Sequence, residues 1–320
     1  MIKTILILFL ILSGIQVNAQ YPQASISNTQ IEAKLYLPDS KNGFYRGVRF
    51  DWSGVISSLK FKGHEYFGEW YDKHDPLRHD AITGPVEAFD PIDYDIAAPG
   101  ETFIKIGIGT IRKLNNEPYK FHAPAEIVDS GEWKVREKSD RIIFTHKLSD
   151  KNGYAYVYTK TLRLMKDRPE LILEHSLKNT GTKAINTSVF NHNFFVMDKQ
   201  TTGSDFSVIL PFEIKNEPRG KKLMDFSKNK MTYLKDLKKG ESTMEYPEGY
   251  SGTSVEDYDF RIENRKTGAA VRITADRALS RFMYWSVPTT LSPEPFIKVD
   301  AEPGKEFTWT IKYQFYTTKD

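Results

Sequence analysis

Residues 191–195 (NHNFF) carry the side chains best suited to chemistry in this sequence of 320 residues. An imidazole with an ordinary pKa of about 6.5 can deliver a proton at neutral pH, so His192 is a candidate general acid. The amides of Asn191 and Asn193 can orient its ring, and the two phenylalanines that follow offer flat apolar faces to a sugar. The alternative is a half-buried histidine at a strand end, hydrogen-bonded by the two asparagines.

Glu294 lies between two prolines in residues 291–296 (LSPEPF). Both neighbours lack an amide proton and have a fixed φ, so the backbone around the carboxylate is stiff. A stiff backbone lowers the entropy cost of aiming a catalytic group. We therefore predict a general base held on a loop. The alternative is a turn that carries a solvated carboxylate.

Acidic and aromatic residues further along the chain are candidate sugar contacts. Asp257, within residues 256–259 (EDYD), can accept hydrogen bonds from two neighbouring hydroxyls. Tyr284 and Trp285 can stack on the apolar face of a sugar ring. For Asp257 the alternative is a polar lead-in to the strand that follows.

Two histidines with acidic neighbours occupy residues 72–80 (DKHDPLRHD). His74, His79 and the aspartates are donors that bind divalent cations, but their spacing fits no metal motif. The charge of Arg78 between the histidines would also repel a cation. We predict a polar loop at the rim of a pocket, and no metal site.

The elements that must position these side chains are strands. Apolar and polar residues alternate in several segments that are separated by glycine-containing turns, and no longer window keeps a helical apolar stripe. The sequence predicts an all-β fold, a large antiparallel two-sheet β-sandwich with few short helices. Residues 69–101, interrupted by four prolines, are the predicted irregular region. The alternating segments are 33–37, 141–146, 154–158, 260–264 and 308–315, and the turns are 150–153, 179–181, 266–268 and 302–304.

Residues 1–19 are predicted to be a cleaved signal peptide. Lys3 gives a basic start, residues 5–12 are apolar but too short to span a membrane, and Ala19 is the small residue expected at a cleavage site. We expect residues 20–320 to form a single β-sandwich domain in the periplasm or outside the cell, without membrane insertion.

Composition narrows the classes of partner. The sequence has no cysteine, so it offers neither a disulfide framework nor a lipid attachment site, and a large core must hold the exported chain together. The formal net charge is +3, with basic and acidic residues interspersed. Without a basic block, nucleic acid is not an expected partner, and neither is an acidic membrane surface.

Three segments come in an order that resembles the aldose 1-epimerases, the galactose mutarotase-like family. They are residues 191–195 (NHNFF), residues 257–260 (DYDF), and residues 293–295 (PEP) followed by 302–309 (EPGKEFTW). Residues 45–54 (YRGVRFDWSG) also look like the early strands of divergent exported members. The resemblance covers nearly the whole mature chain. It implies the family's large β-sandwich, often called a supersandwich, and no cofactor.

The resemblance also implies roles for single residues. His192 matches the histidine that protonates the ring oxygen, and Glu294 matches the glutamate that takes the proton from the anomeric hydroxyl. Asp257 matches an aspartate that binds sugar hydroxyls, and Arg49, or alternatively Arg46, matches an early arginine that contacts sugar oxygens. The implied reaction opens the ring to the free aldehyde, allows rotation about C1–C2 and closes the ring on the other face. We expect the acid and the base on opposite sides of a ring-sized gap.

One motif departs from the family pattern. Residues 83–89 (TGPVEAF) align with a segment that usually carries a second histidine, and Thr83, which cannot act as an acid, stands in its place. His79 or His74 can reach the site from the irregular loop instead, and Glu87 can replace some of the lost contacts.

Three functions remain open from the sequence, each with a mono- or oligosaccharide as partner. The first is an exported aldose 1-epimerase-like enzyme that interconverts the anomers of a free sugar. The second, favoured by Thr83, is a catalytically silent carbohydrate-binding β-sandwich. The third is another carbohydrate enzyme on the same scaffold, a lyase or a sugar-phosphate epimerase. A phosphate would need several cations at the pocket mouth, for which the candidates are Arg46, Arg49, Arg78 and Arg112, although export argues against such a substrate.

Overall fold

The computed structural model describes residues 21–319, which fold into 22 strands and two short 3₁₀ helices, Met197–Lys199 and Val255–Asp257. The strands are β1 Gln23–Ser27, β2 Ile31–Tyr36, β3 Val55–Phe61, β4 His64–Glu65, β5 Val86–Phe89, β6 Thr102–Lys105, β7 Gly109–Arg112, β8 Ile127–Asp129, β9 Glu132–Glu137, β10 Arg141–Ser149, β11 Ala155–Leu164, β12 Glu170–Asn179, β13 Ile185–His192, β14 Phe206–Ile209, β15 Met224–Ser227, β16 Lys230–Tyr233, β17 Thr243–Glu245, β18 Asp259–Asn264, β19 Ala269–Ala275, β20 Arg281–Val287, β21 Thr290–Ala301 and β22 Glu306–Thr317.

Two large antiparallel sheets dominate this part of the chain. One has ten strands in the order β15-β16-β14-β18-β19-β22-β12-β11-β10-β9, and the other has five in the order β17-β20-β21-β13-β5. Smaller sheets of four strands (β1 to β4) and three strands (β6 to β8) accompany them. The predicted all-β sandwich with few short helices is therefore confirmed.

The alternating sequence pattern explains why the strands form. In β11 every second side chain is buried, from Tyr156 to Leu164, so one face of the ten-stranded sheet is buried. Each of the four predicted turns joins two consecutive strands, as residues 150–153 join β10 to β11. The predicted irregular region, residues 69–101, contains one short strand, β5, and its four prolines lie outside that strand.

The five-stranded sheet has a different core on each of its faces. The larger core joins it to the ten-stranded sheet, with Val189 and Val299 on one side and Leu173 on the other. The second core, here called the site core, consists of twelve buried residues. It contains Val86 and Ala88 of β5, and also Phe50, Trp52 and Phe194. Because alternate residues of one strand point to opposite faces, the site core lies on the face turned away from the ten-stranded sheet.

The predicted signal peptide lies outside the described residues. Between residues 21 and 319, no helix is long and apolar enough to cross a membrane.

Candidate functional site

A cavity of about 500 Å³ lies on the site-core face of the five-stranded sheet. Its floor comes from alternate residues of three strands, among them Met283 of β20, Glu294 of β21 and His192 of β13. The walls come from two parts of the chain. Arg49, Trp70 and His79 precede β5, while Lys105, at the end of β6, and Tyr119, after β7, follow it. The volume is in the range of about 300–1,000 Å³ that is typical of small-ligand sites.

The two predicted catalytic residues meet at the bottom of this cavity. Nε2 of His192 lies 3.2 Å from Oε1 of Glu294, and the two residues are only 3% and 4% exposed. The structure therefore brings together the two groups that the sequence selected. It corrects their expected arrangement, because they contact each other directly and are not separated by a ring-sized gap.

Aromatic rings enclose the imidazole of His192. The ring of Phe194 stacks on it at 3.7 Å between centroids, and the rings of Phe50 and Trp285 lie edge-on to it. Burial, aided by the charge of Arg49, holds the pKa of His192 well below its ordinary value. His192 is therefore neutral at neutral pH. Its buried Nδ1 has no hydrogen-bond partner among residues 21–319.

The carboxyl group of Glu294 is shifted in the opposite direction. Burial raises its pKa to about 7, although the nearby charges of Arg49 and Arg281 oppose the rise. A carboxyl group with a pKa near 7 is half protonated at neutral pH. In contact with a neutral imidazole it can donate or accept a proton at a low cost in free energy. The pair is therefore suited to general acid–base chemistry at neutral pH.

Glu294 lies in a strand, which corrects the expectation that prolines 293 and 295 would hold it on a loop. It belongs to β21, which pairs with β20 on one side and with β13 on the other. The amide of Leu291 donates to Phe195 on the β13 side, so the nitrogens of residues 293 and 295 face the same way. Prolines at these two positions remove the donors that β13 would need. The hydrogen-bond ladder between β13 and β21 is therefore interrupted between Phe296 and Leu291. His192 and Glu294 lie beside this interruption.

The asparagines that flank His192 do not touch its ring, contrary to the sequence-based expectation. They point to the opposite face of the sheet, where Asn191 Nδ2 lies 3.4 Å from Glu87 Oε1. Asn193 accepts a hydrogen bond from the hydroxyl of Tyr313 (2.6 Å) and donates one to the carbonyl of Pro293 (2.8 Å). They therefore anchor the strand beside the opened ladder, and the ring of His192 is oriented by aromatic stacking.

Three of the predicted sugar contacts line the cavity: Arg49, His79 and Trp285. The guanidinium of Arg49 lies over the rings of Phe50 and Phe121, at 4.6 and 4.1 Å from their centroids. The sequence left Arg46 as an alternative to Arg49, and the structure places only Arg49 on the cavity wall.

Glu87 is not a sugar contact, which corrects the sequence-based expectation. It lies on the other face of β5, 1% exposed, where it forms an ion pair with Lys160 and a hydrogen bond with His175 of the ten-stranded sheet. Burial alone would raise the pKa of Glu87, but the charge of Lys160 and the hydrogen bond from His175 lower it to about 2. The residue is a permanent anion that joins the two large sheets.

Asp257 is also outside the cavity, so its predicted sugar-binding role is not supported by its position. It ends the second 3₁₀ helix, and its carboxylate accepts hydrogen bonds from the amide and the hydroxyl of Ser251, each at 2.6 Å. The alternative from the sequence, a polar lead-in to β18, describes its environment better.

The remaining candidates are structural. Nε2 of His74 donates to the carbonyl of Phe44, its Nδ1 contacts the hydroxyl of Tyr21, and its ring stacks on that of Phe44. The hydroxyl of Thr83 is buried without a partner within the described chain, and Thr83 does not reach the cavity. Tyr284 points to the large core, unlike its neighbour Trp285.

Several cavity residues escaped sequence reasoning: Lys105, Trp70, Tyr119, Phe121 and Arg281. One of them had a local signal, because Lys105 is the only charged residue in the apolar run 103–108 (FIKIGI). A lysine at such a position must find a polar environment inside the fold. The others come from loops and strand ends, whose place in space depends on distant parts of the chain.

No protein-family model matches the sequence, and no curated protein matches it. Solved structures, however, share the fold. The chain is similar to a protein from Synechocystis sp. PCC 6803, with a TM-score of 0.58 and 12% identity over 93% of this chain and 96% of that chain. The galactose mutarotase related enzyme from Lactobacillus acidophilus gives 0.56 and 14%, over 93% and 98%. The aldose epimerase homologue from C. elegans gives 0.55 and 14%, over 93% and 99%. The architecture is thus that of the galactose mutarotase-like β-sandwich.

Proposed function

We propose that this chain is an exported aldose 1-epimerase-like enzyme that interconverts the anomers of a free sugar by acid–base ring opening. The observation that carries the proposal is the contact of 3.2 Å between His192 and Glu294 on the floor of a cavity of sugar-ligand size. Aromatic side chains such as Trp285 border the same cavity and offer a stacking face.

The direct contact between the two groups is compatible with this chemistry. The ring oxygen O5 and the anomeric oxygen O1 are both bonded to C1, so neighbouring groups can serve both oxygens. One group removes the proton of O1 while the other protonates O5; the C1–O5 bond breaks and C1=O1 forms. Rotation about C1–C2 and the reverse transfers close the ring on the other face, and the pair ends with the protons it had at the start.

The pKa shifts indicate which group begins as the acid. With His192 neutral, a protonated Glu294 donates to O5 and Nε2 of His192 accepts from O1. Passage of the proton from Glu294 to His192 before the sugar reacts would give the roles that the family resemblance implies.

Polarimetry of freshly dissolved α-glucose, α-galactose and a panel of other aldoses tests the proposal. We expect the wild type to accelerate the approach to anomeric equilibrium for at least one sugar. Glu294→Gln and His192→Ala should each lower that rate by about 100-fold or more, because they remove a general acid–base group. Glu126→Gln, at an exposed glutamate that does not line the cavity, is the matched control.

The same panel separates the enzyme from a binding module. If no free aldose responds but one binds in calorimetry, the chain is a silent carbohydrate-binding sandwich, and the enzymatic proposal is wrong.

The export part of the proposal rests on residues 1–19 of the sequence, and the mass of the protein recovered from a bacterial periplasm tests cleavage before Gln20.

A further inference from the structure

Lys105 is a buried cation without a counter-charge. It is 2% exposed, it lines the cavity, and its ammonium group makes no hydrogen bond or ion pair within residues 21–319. Two other buried lysines are satisfied: Lys160 pairs with Glu87, and Lys113 donates to the carbonyl of Tyr94 at 2.8 Å. Because an unpaired buried ammonium is costly, the free position of Lys105 requires a reason.

Arg49 is a second cation on the same cavity wall, and its side chain is half-buried. Its guanidinium rests on two aromatic rings and forms no hydrogen bond or ion pair in the described chain. It is close enough to Lys105 to lower the pKa of that amine, and close enough to Glu294 to oppose the rise in that carboxyl pKa. Arg49 therefore interacts electrostatically both with Lys105 and with Glu294 of the acid–base pair.

No acidic group forms an ion pair with either residue in the described chain. Asp90 is exposed and attracts the charge of Lys105, but it lies beyond ion-pair distance. Asp80 pairs with Arg78 at 2.7 Å, and Glu294 is only partly ionised at neutral pH. The other neighbour is Tyr119, whose ring centroid lies 5.5 Å from the Lys105 ammonium and whose phenol is neutral because burial raises its pKa. The N–H groups of Lys105 and Arg49 at this end of the cavity are therefore free to bind a ligand.

We propose that Lys105 and Arg49 form a subsite for an anionic oxygen group on the sugar, so that the substrate is an acidic sugar that carries a carboxylate, sulfate or phosphate. A planar guanidinium with free N–H groups and an ammonium are the donors that bind such groups. The inference rests on the proposed sugar site and adds a substrate class to it.

Binding at this subsite has a proton signature. Burial, opposed by Asp90 and reinforced by Arg49, lowers the pKa of Lys105 to about 7, so most of the population is uncharged at pH 7.5. A bound anion favours the ammonium and raises this pKa, and protons are then taken up from the buffer. Glu294 also titrates near pH 7, and an anion would raise its pKa as well, so the signature must be assigned with variants of both residues.

Calorimetry with matched sugars tests the subsite. Glucose is compared with glucuronic acid, glucose 6-sulfate and glucose 6-phosphate at pH 7.5, in two buffers of different ionisation enthalpy. We expect at least one acidic sugar to bind more tightly than glucose, with proton uptake. Lys105→Met should weaken that binding by about 10- to 100-fold and reduce the uptake, while its effect on glucose stays small, because a charged hydrogen bond is lost.

Two further variants make the result interpretable. Lys113→Met removes a buried lysine outside this cavity and should change neither affinity. Glu294→Gln should retain tight binding of the acidic sugar and the part of the proton uptake that belongs to Lys105. The three acidic sugars show whether a carboxylate, a sulfate or a phosphate is preferred.

The proposal is overturned if glucose binds as tightly as every acidic sugar, or if folded Lys105→Met binds the acidic sugar like the wild type. Either result leaves the acid–base proposal intact, since that depends on polarimetry. Conversely, Lys105-dependent binding of an acidic sugar whose anomers do not interconvert faster would support the subsite and contradict the enzymatic proposal.

Discussion

The imidazole of His192 and the carboxyl of Glu294 are both too buried to carry a lone charge at low cost. Burial lowers one pKa and raises the other, so both groups are driven toward their neutral forms. Neither shift can be read from the sequence, because each depends on side chains that other strands and loops bring to the cavity. The residue types could be selected from the sequence, while their protonation required the structure.

The raised pKa of Glu294 predicts a cost in stability that grows with pH. Below pH 4.5 the group is protonated in both folded and unfolded chains. As the pH rises through the unfolded value of 4.5 to the folded value of about 7, the unfolded chain releases the proton first and is favoured. Above pH 7 the loss is complete, at about 3 kcal/mol for a shift of this size.

Urea unfolding at pH 5 and pH 8 measures this effect. Glu294→Gln keeps the shape of the side chain but has no proton to lose, so it should lose less stability than the wild type between the two pH values, by up to about 3 kcal/mol. The exposed control Glu126→Gln should follow the wild type. Parallel pH profiles for Glu294→Gln and the wild type would show that the carboxyl titrates normally.

Other residue-level predictions failed for an identifiable reason. Glu87 and Asp257 have the right chemistry for sugar binding, and both belong to segments that resemble motifs of the family. Glu87 faces the ten-stranded sheet, and Asp257 turns back to Ser251. A short motif specifies the type of side chain, but the cavity it reaches depends on strand pairing and loop packing across the whole chain.

At the level of elements, the period-two pattern predicted the strands well because alternation is local. The segment around Glu294 was misjudged because prolines are disfavoured in a strand with two neighbours. Here the two missing donors face an opening in the ladder, and the other edge pairs normally with β20. The interruption cannot be seen in the sequence of β21 alone, because it depends on β13. The pairing of the two strands ends at Phe190 and Phe296, and residues 191–194 do not pair with β21.

The asparagine that bridges this opening should be important for the stability of the element. Asn193→Ala leaves the hydroxyl of Tyr313 buried without a partner and the carbonyl of Pro293 with only the long 3.5 Å hydrogen bond from Ser292 Oγ, so we expect a loss of about 1–3 kcal/mol in the free energy of unfolding. In a double-mutant cycle, Asn193→Ala with Tyr313→Phe should cost less than the sum of the single changes. Additive costs in urea unfolding would contradict the bond between the two side chains.

At the scale of the whole molecule, a buried ionic cluster connects the two large sheets. Glu87 of the five-stranded sheet forms an ion pair with Lys160 and a hydrogen bond with His175 of the ten-stranded sheet, and Lys160 also donates to the carbonyl of Ser53 at 3.0 Å. A period-two reading of β11 assigns Lys160 to the buried face, yet it cannot name the partner of that lysine, which lies 73 positions earlier in the chain.

Removal of one member of this cluster should destabilise the fold as a unit. Lys160→Met leaves the carboxylate of Glu87 with less compensation, and we expect a loss of about 3–5 kcal/mol. If residues 20–320 form one domain, urea unfolding followed by fluorescence and circular dichroism should still give one coincident transition at a lower midpoint. Two separate transitions would contradict the single domain, and an unchanged midpoint would contradict the role of the ion pair.

The alternation along residues 190–195 also divides this segment for protein engineering. Phe190, His192 and Phe194 face the cavity, while Asn191 and Asn193 face the sheet below. A combinatorial library that varies Phe190 and Phe296 of the cavity wall, and keeps Phe194 in its stack on His192, changes ligand contacts while the asparagines keep their anchoring bonds. Residues that can be changed to alter ligand contacts thus alternate, within one short segment, with residues that the scaffold needs for its stability.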